Sequence, residues 1–408
     1  MDPPRGRPAR DAHVQSPPGT AGELVQSKLW TPDSKYVVVR AVVAFSGHSR
    51  SDPIHILLTS EMPSTTYVSL VQVHNSVEEA VREALELISW RDHLEKGRPT
   101  ALKVNLGWDL FIPGSITSPW VIEAVIRTIR DWVGPISIVE SDQVLERIEI
   151  AYRKSRLPEL CARENVHWVN MSRSEMVSVP VPHAAIFHRL DLPRILLDTQ
   201  LVTIPVMKTH AKTGITGALK NQWGCISKLR HNYHLVLADA LADINQSVHP
   251  ALAIMDATVA LEGNGPKSGR PKVVNRILAS ADPVALDTVQ ATVMGLDPGR
   301  IEHIQVCAKR GLGEHRLEHI EIVGEPDAKS LNLGFRPATH NLVSRIEELL
   351  RRSRWKWVFF DTPIFLLMLI GAKVWYLIWF FFVNGKRHWR TVLSHPYYGQ
   401  LWKTIREN

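Results

Sequence analysis

LVTIPVMKTHAKTGITGALKNQWGC, residues 201–225, is the stretch from which the rest of the chain is best read. Its first five residues, Leu201–Pro205, are a short apolar run with β-branched side chains, the pattern of a buried strand. The character then changes. Lys208, Lys212 and Lys220 supply positive charge, Thr209, Thr213 and Thr216 supply hydroxyls, and Gly214 and Gly217 let backbone N–H groups approach a ligand closely. Asn221 ends the run, which leads toward a helix. Such a loop at the carboxyl end of a strand is where open α/β sheets bind ligands, often anions at a helix N-terminus. The order GxxxxGK[ST] is missing, so this is not a Walker A loop. A solvated basic turn has the same composition, and the residues alone leave both readings open.

Outward from this stretch, strand and helix patterns alternate. Tyr67–Val73, Ala101–Leu106, Ile136–Glu140, Val166–Val169, Leu252–Asp256, Val274–Ala279 and Ile320–Val323 read as strands. Val77–Lys96, Pro119–Trp132, Leu157–Glu164, Leu235–Asn245 and Pro283–Met294 read as helices, the last capped by Asp282. This alternation predicts an α/β fold, a parallel or mixed sheet flanked by helices, with no internal linker between about residues 65 and 326. Residues 1–32 read as a disordered leader rather than a secretory signal, because Pro, Gly and Arg take the place of an apolar core. Residues 33–64 read as extra strands, Tyr36–Phe45 and Ile54–Leu58. Residues 65–340 read as the α/β domain and 341–408 as a basic tail.

The formal charge of +7 is localised. Residues 341–408 hold eleven Lys/Arg against four Asp/Glu, so residues 1–340 are neutral. Basicity confined to a tail beside an apolar run suits an anionic membrane surface and argues against a nucleic-acid partner. Within that tail, Thr362–Val383 is twenty-two residues with one charge, Lys373. At helical rise it spans ~33 Å, enough for a hydrocarbon core. Its thirteen Leu, Ile, Phe and Val residues favour insertion by roughly 4–8 kcal/mol against about 3 kcal/mol for the lysine. Trp355, Trp357 and Trp389 flank it as interfacial anchors would. The expectation is a C-terminal hydrophobic membrane helix, spanning or re-entrant, with the main domain cytoplasmic.

The three cysteines, Cys161, Cys225 and Cys307, include no CxxC pair. Neither a disulfide framework nor a four-thiolate iron–sulfur cluster is expected. A second loop, Glu262-Gly-Asn-Gly-Pro266 through Gly269, follows the strand ending at Asp256. Asp256 and Glu262 are candidates for holding a cation or moving protons, and Gly263 and Gly265 for exposing amides to a ligand. An ordinary glycine-rich turn fits equally well. His210, in the first loop, is the candidate acid or base. Among His210, His231, His234 and His249, the i, i+3 spacing of His231 and His234 allows a shared helix face and a metal site, although unpatterned histidines are more often surface or capping residues.

Lys103-Val-Asn105 after a strand, Lys208-Thr-His210, Thr216 to Asn221, Gly224, His234, Asp256 with Glu262 to Pro266, Gly269, and Asp282-Pro-Val-Ala-Leu-Asp287, in this order, resemble the family called domain of unknown function 362. The resemblance covers about residues 65–323. Val104 stands where relatives often have proline. The resemblance implies an α/β fold and a shared site with no established reaction. Many relatives carry ferredoxin-like cysteine motifs, which are missing here, so a cluster is not carried over. Three functions follow as expectations. In the first, Lys208, Thr209, Lys212, Thr213, Thr216, Gly217, Lys220, Asn221, Gly263 and Gly265 bind an anionic small molecule, with His210, Asp256 and Glu262 carrying chemistry. The second is a redox accessory protein docking an iron–sulfur partner. The third is a noncatalytic membrane-tethered binding module. The cofactor, if any, is left unspecified.

Overall fold

The computed structural model describes residues 24–30, 36–42, 65–143, 147–226, 228–339 and 349–406 except 352, 355, 361 and 363. The chain divides into two units, residues 1–65 and 66–408. In the first, β1 (Leu24–Trp30) pairs antiparallel with β2 (Tyr36–Val42). Part of the expected leader is therefore a strand. The expected strand Ile54–Leu58 lies outside the described residues.

The second unit is built on one mixed sheet. Its strands are β3 (Thr66–Gln72), β4 (Thr100–Lys103), β5 (Ile136–Glu140), β6 (His167–Asn170), then, after the separate hairpin β7 (Met176–Pro180) and β8 (Arg189–Pro193), β9 (Gln200–Thr203), β10 (Val206–His210), β11 (Gly214–Thr216), β12 (Leu252–Glu262), β13 (Arg270–Ser280) and β14 (Ile320–Gly324). The main order is β14-β3-β13-β12-β9-β4-β5-β6. The pairs β12–β9, β9–β4, β4–β5 and β5–β6 are parallel, whereas β13 runs antiparallel to both its neighbours. The α/β expectation with a mixed sheet and covering helices describes this architecture.

The central strand β12 is buried along its whole length. Leu252 and Ile254 face one core cluster, with the helices Val77–Glu86 and Pro119–Ile129; Ala253 and Met255 face another, with Pro283–Met294. Burial on both faces explains why β12 reads as an apolar run rather than an alternating one. It also runs on past Asp256 to Glu262, so Asp256 is a mid-strand residue, not the strand end that the sequence suggested. Likewise the first helix stops at Glu86, because Ser89 turns into left-handed backbone at φ 51°.

The tail departs most from expectation. The apolar run forms an α-helix, Ile364–Ile378, followed by a π-helical turn, Trp379–Val383. Among the described residues no single helix is long and apolar enough to cross a membrane; Leu367–Val383 and Gly385–Leu393, bent by 49° between them, pass that test together by length and composition. The bend lies after Val383, beyond the expected segment, and the helix end before it belongs to the body. Trp379 is buried in the main core, and Gly385 lies so close to Phe380 that a Cβ would stand 2.6 Å from that residue's Cα. Trp389 is not an interfacial anchor either. It is buried, donates its indole N–H to the Phe111 carbonyl at 3.0 Å, and packs edge-on to Trp402. The last helix, Tyr398–Arg406, adds Tyr398 and Trp402 to the same core.

Candidate functional site

β4, β5 and β9 are parallel, so their carboxyl ends share one edge of the sheet. From β4 the chain moves outward through β5 and β6, while β9 pairs on its other side. The gap beyond the ends of β4 and β9 is thus a topological switch point, the place where open α/β sheets form a crevice. A cavity of about 110 Å³ lies there. Lys103 ends β4, Glu140 ends β5, and Lys208 sits on β10, three residues beyond the Ile204–Pro205 connection from β9. All three line the cavity.

Lys103 Nζ lies 2.9 Å from Glu140 Oε1, and both side chains are buried. The Glu140 carboxylate also accepts the N–H groups of Ser141 at 2.9 Å and Leu106 at 3.2 Å. Both of its oxygens are thereby engaged by the protein. Lys208 Nζ donates to Asn105 Oδ1 at 2.7 Å and to the Ser115 carbonyl at 2.9 Å. Asn105 in turn donates to Asn221 Oδ1 at 3.0 Å, and Asn221 donates to the Lys103 carbonyl and to Thr203 Oγ1. The two asparagines lock the ends of β4 and β9 to the short helix Ala218–Asn221 that carries Lys220.

The charge balance is cationic. Among the described lining residues stand Lys103, Lys208, Lys220 and Lys267, with Glu140 as the one carboxylate. Burial first, and then the positive charge of Lys220, push the Lys208 ammonium down to about 7. Burial, followed by Arg230 and Lys212, lowers Lys220 to about 8. The Thr216 hydroxyl oxygen is buried against the cavity without a hydrogen-bond partner in the structure. Trp108 and Trp223 supply flat walls, and Lys267 lies 3.6 Å above the Trp108 ring centroid.

The structure brings Lys208, Thr216, Lys220 and Asn221 together on this cavity, as a group of the predicted ligand residues. The predicted loop is mostly a hairpin, β10 paired with β11, so Lys208 and Thr209 are strand residues. His210 Nδ1 accepts the N–H groups of Lys212 and Thr213, which ties the hairpin turn, and burial drives its pKa well below the ordinary histidine range. Lys212 Nζ lies 3.2 Å from His234 Nδ1, and His234 stacks on Trp223. Thr213 donates to the Ile215 carbonyl. None of His210, Lys212 and Thr213 lines the cavity.

The glycine-rich loop joins by close approach. Thr209 Oγ1 donates to the Gly263 carbonyl at 2.8 Å, and a Cβ on Gly265 would sit 2.1 Å from the Thr209 carbonyl oxygen. That contact brings Pro266 and Lys267 to the cavity, while Gly263 and Gly265 themselves stay behind it. The two β12 carboxylates do not line it. Asp256 accepts the Ser118 N–H at the start of the helix Pro119–Ile129, and the Thr258 N–H and hydroxyl; burial raises its pKa. Glu262 accepts the Arg336 N–H and borders a separate hollow with Lys272 and Arg336. Asp287 accepts the N–H groups of Ala218 and Leu219, and a Cβ on Gly217 would lie 2.0 Å from its Oδ1, so the pair fixes the helix that presents Lys220. No group of three or more His, Cys, Asp or Glu residues able to hold a metal occurs among the described residues.

Lys103, Asn105, Glu140 and Lys267 were missed as site residues. The first two were quoted only for the family resemblance. Glu140 carried its own signal, a charged residue closing an otherwise apolar strand.

One curated relative, a thylakoid-associated protein of Synechocystis sp., is 32% identical over 141 residues, which is 32% of this chain and 44% of that protein. The chain therefore matches less than half the length of that relative. Among solved structures, the lactate racemase apoprotein from Thermoanaerobacterium thermosaccharolyticum aligns with a TM-score of 0.36 and 14% identity, over 61% of this chain and 58% of that one. Residues 100–292, which run from β4 through most of the helix Pro283–Met294 and hold the whole lysine-lined cavity, match the family described as Domain of unknown function (DUF362).

Proposed function

We propose that this chain is a membrane-attached protein that binds an anionic small molecule in the Lys103–Lys208–Lys220 cavity. One observation carries the reading: four lysines line a single small cavity whose one carboxylate is already engaged by a lysine and two backbone N–H groups. Lys208 is buried and bonds to neutral oxygens among the described residues, and a buried cation is costly unless something anionic joins it. The unpartnered Thr216 hydroxyl adds a donor for the same guest. A volume of about 110 Å³ is well under the ~300–1,000 Å³ of sites that engulf a whole small molecule. It suits one anionic group, a phosphate or carboxylate, with the rest of the ligand outside. Attachment to a membrane is supported by the exposed apolar helix and by the relative's description as thylakoid-associated.

Native mass spectrometry of the purified full chain, with phosphorus analysis and calorimetric titration of inorganic phosphate, tests the site. A retained anion, or phosphate binding that Lys220→Ala weakens, is expected. A chain that retains no anion and shows no phosphate or acetate binding would sink the reading.

A further inference from the structure

The helix Ile364–Ile378 and the turn after it carry a continuous apolar stripe. Leu367, Ile370, Val374, Trp375, Ile378 and Phe382 are all exposed, Leu367 at 67% and Phe382 at 84%. Their spacing of three and four residues places them on one side of the helix. The other side, including Met368, Leu369, Ala372 and Tyr376, is half-buried. The stripe thus runs along the helix rather than around it. This is the arrangement of a helix lying in the plane of a membrane, and it differs from a span that lipid surrounds on every side. At the end of the stripe the chain bends into Gly385–Leu393, where Lys386, Arg387 and Arg390 are exposed, a positive charge complementary to an anionic bilayer surface.

The helix that carries the stripe reaches the cavity wall with its inward side. Tyr376 meets Trp108 edge-on with ring centroids 5.2 Å apart, and Lys267 Nζ lies 5.4 Å from the Tyr376 centroid. Trp108 and Lys267 line the cavity. The helix therefore turns its inward side to a lysine-lined pocket too small for a whole ligand, and its outward side is a surface suited to acyl chains.

We infer that the ligand is a membrane amphiphile, a lipid whose phosphate enters the lysine cavity while its apolar part passes the Trp108–Tyr376 pair into the bilayer on which the stripe rests. This rests on the anion-binding reading above and names the substrate class of that same site. The in-plane stripe seats the cavity mouth at headgroup level, so the lipid need not leave the membrane to be bound.

The test compares three probes on the detergent-free full chain: inorganic phosphate, glycerol 3-phosphate and dihexanoyl phosphatidic acid below its micellar concentration. Co-flotation with phosphatidylcholine vesicles, with and without phosphatidic acid, accompanies it. The lipid should bind at least about tenfold more tightly than either water-soluble phosphate, as burial of a few methylenes requires. The double variant Leu367→Ser, Phe382→Ser should lose vesicle flotation and keep phosphate binding. Trp108→Ala should lose most of the preference for the lipid over phosphate. Equal affinity for the three probes would overturn the amphiphile inference and leave a free anion as the ligand. Binding of none of them would remove the anion site itself, a separate failure. Flotation of the double variant at wild-type levels would show that the stripe does not seat on lipid.

Discussion

Two sets of buried charges differ in what they bond to. Asp256, Asp282 and Asp287 are aspartates of the family-like motifs, and each accepts at least two backbone N–H groups: Ser118 and Thr258; Val284, Ala285 and Glu314; Ala218 and Leu219. Lys103 and Lys208 each make two bonds to the protein, and an ammonium has three donors. The aspartates hold backbone geometry away from the cavity; the lysines line the cavity, where a remaining donor on each can meet a guest. Residues that look equally functional in a motif thus divide by whether they only fix the backbone or also line the cavity.

The sharpest way to break this contrast is to remove a cation that does have a partner. Lys103→Met leaves Glu140 buried and facing only amide N–H groups. Loss of one member of a buried pair costs about 3–5 kcal/mol, and urea denaturation should show a midpoint shift of that size. A cost below about 1 kcal/mol would mean that the two backbone N–H groups alone satisfy Glu140.

Next come the aspartates. Asp287→Ala orphans two buried donors at the start of the Lys220 helix and should cost about 2–4 kcal/mol. Gly217→Ala should act in the same direction, because its Cβ would occupy the space of the Asp287 carboxylate. If Asp287→Ala unfolds with the wild-type midpoint, the architectural reading of that motif is wrong.

How much of this was legible in the sequence follows the same division. Strand–helix alternation showed the sheet because buried parallel strands are apolar runs, and Ile136–Glu140 and Pro283–Met294 coincide with their expected bounds. The hairpin β10–β11 was hidden because Lys208 and Thr209 are polar yet buried, and their partners lie far along the chain in Asn105, Ser115 and Gly263. Glu140 was hidden for the same reason: its meaning comes from Lys103, thirty-seven residues earlier and adjacent only through strand pairing. The apolar tail was legible as a helix, and its packing was not, since burial of Trp379 and Trp389 in the body depends on partners such as Phe111 far along the chain.

A smaller effect separates binding from folding. Lys220 is half-buried and lines the cavity, and its side chain makes no hydrogen bond or ion pair among the described residues. Lys220→Ala should weaken phosphate binding by about 1–3 kcal/mol, the value of a charge-assisted hydrogen bond, while the melting temperature stays within a degree or two. Calorimetry and thermal scans on the same preparation read both quantities. A large fall in melting temperature with unchanged affinity would move Lys220 into the architectural set.

The gentlest test uses pH, and the two sets respond with opposite signs. Burial raises Asp287 from 3.8 to about 7, so between those values the folded chain binds the extra proton and this group's contribution to stability falls as pH rises. Burial lowers Lys208 from 10.5 to about 7, so between about 7 and 10.5 the unfolded chain binds the extra proton and stability rises with pH. Asp287→Asn should flatten the acid-side slope relative to wild type, and Lys208→Met the alkaline-side slope. An anion in the cavity favours charged Lys208, returns its pKa toward the ordinary value and should flatten the alkaline slope without any mutation. Phosphate affinity should accordingly fall as pH rises through about 7, by up to about tenfold per unit once Lys208 is mostly neutral. Affinity that is constant from pH 6 to 9 in wild type, after correction for the titration of phosphate itself, would mean that Lys208 is not among the groups that hold the anion.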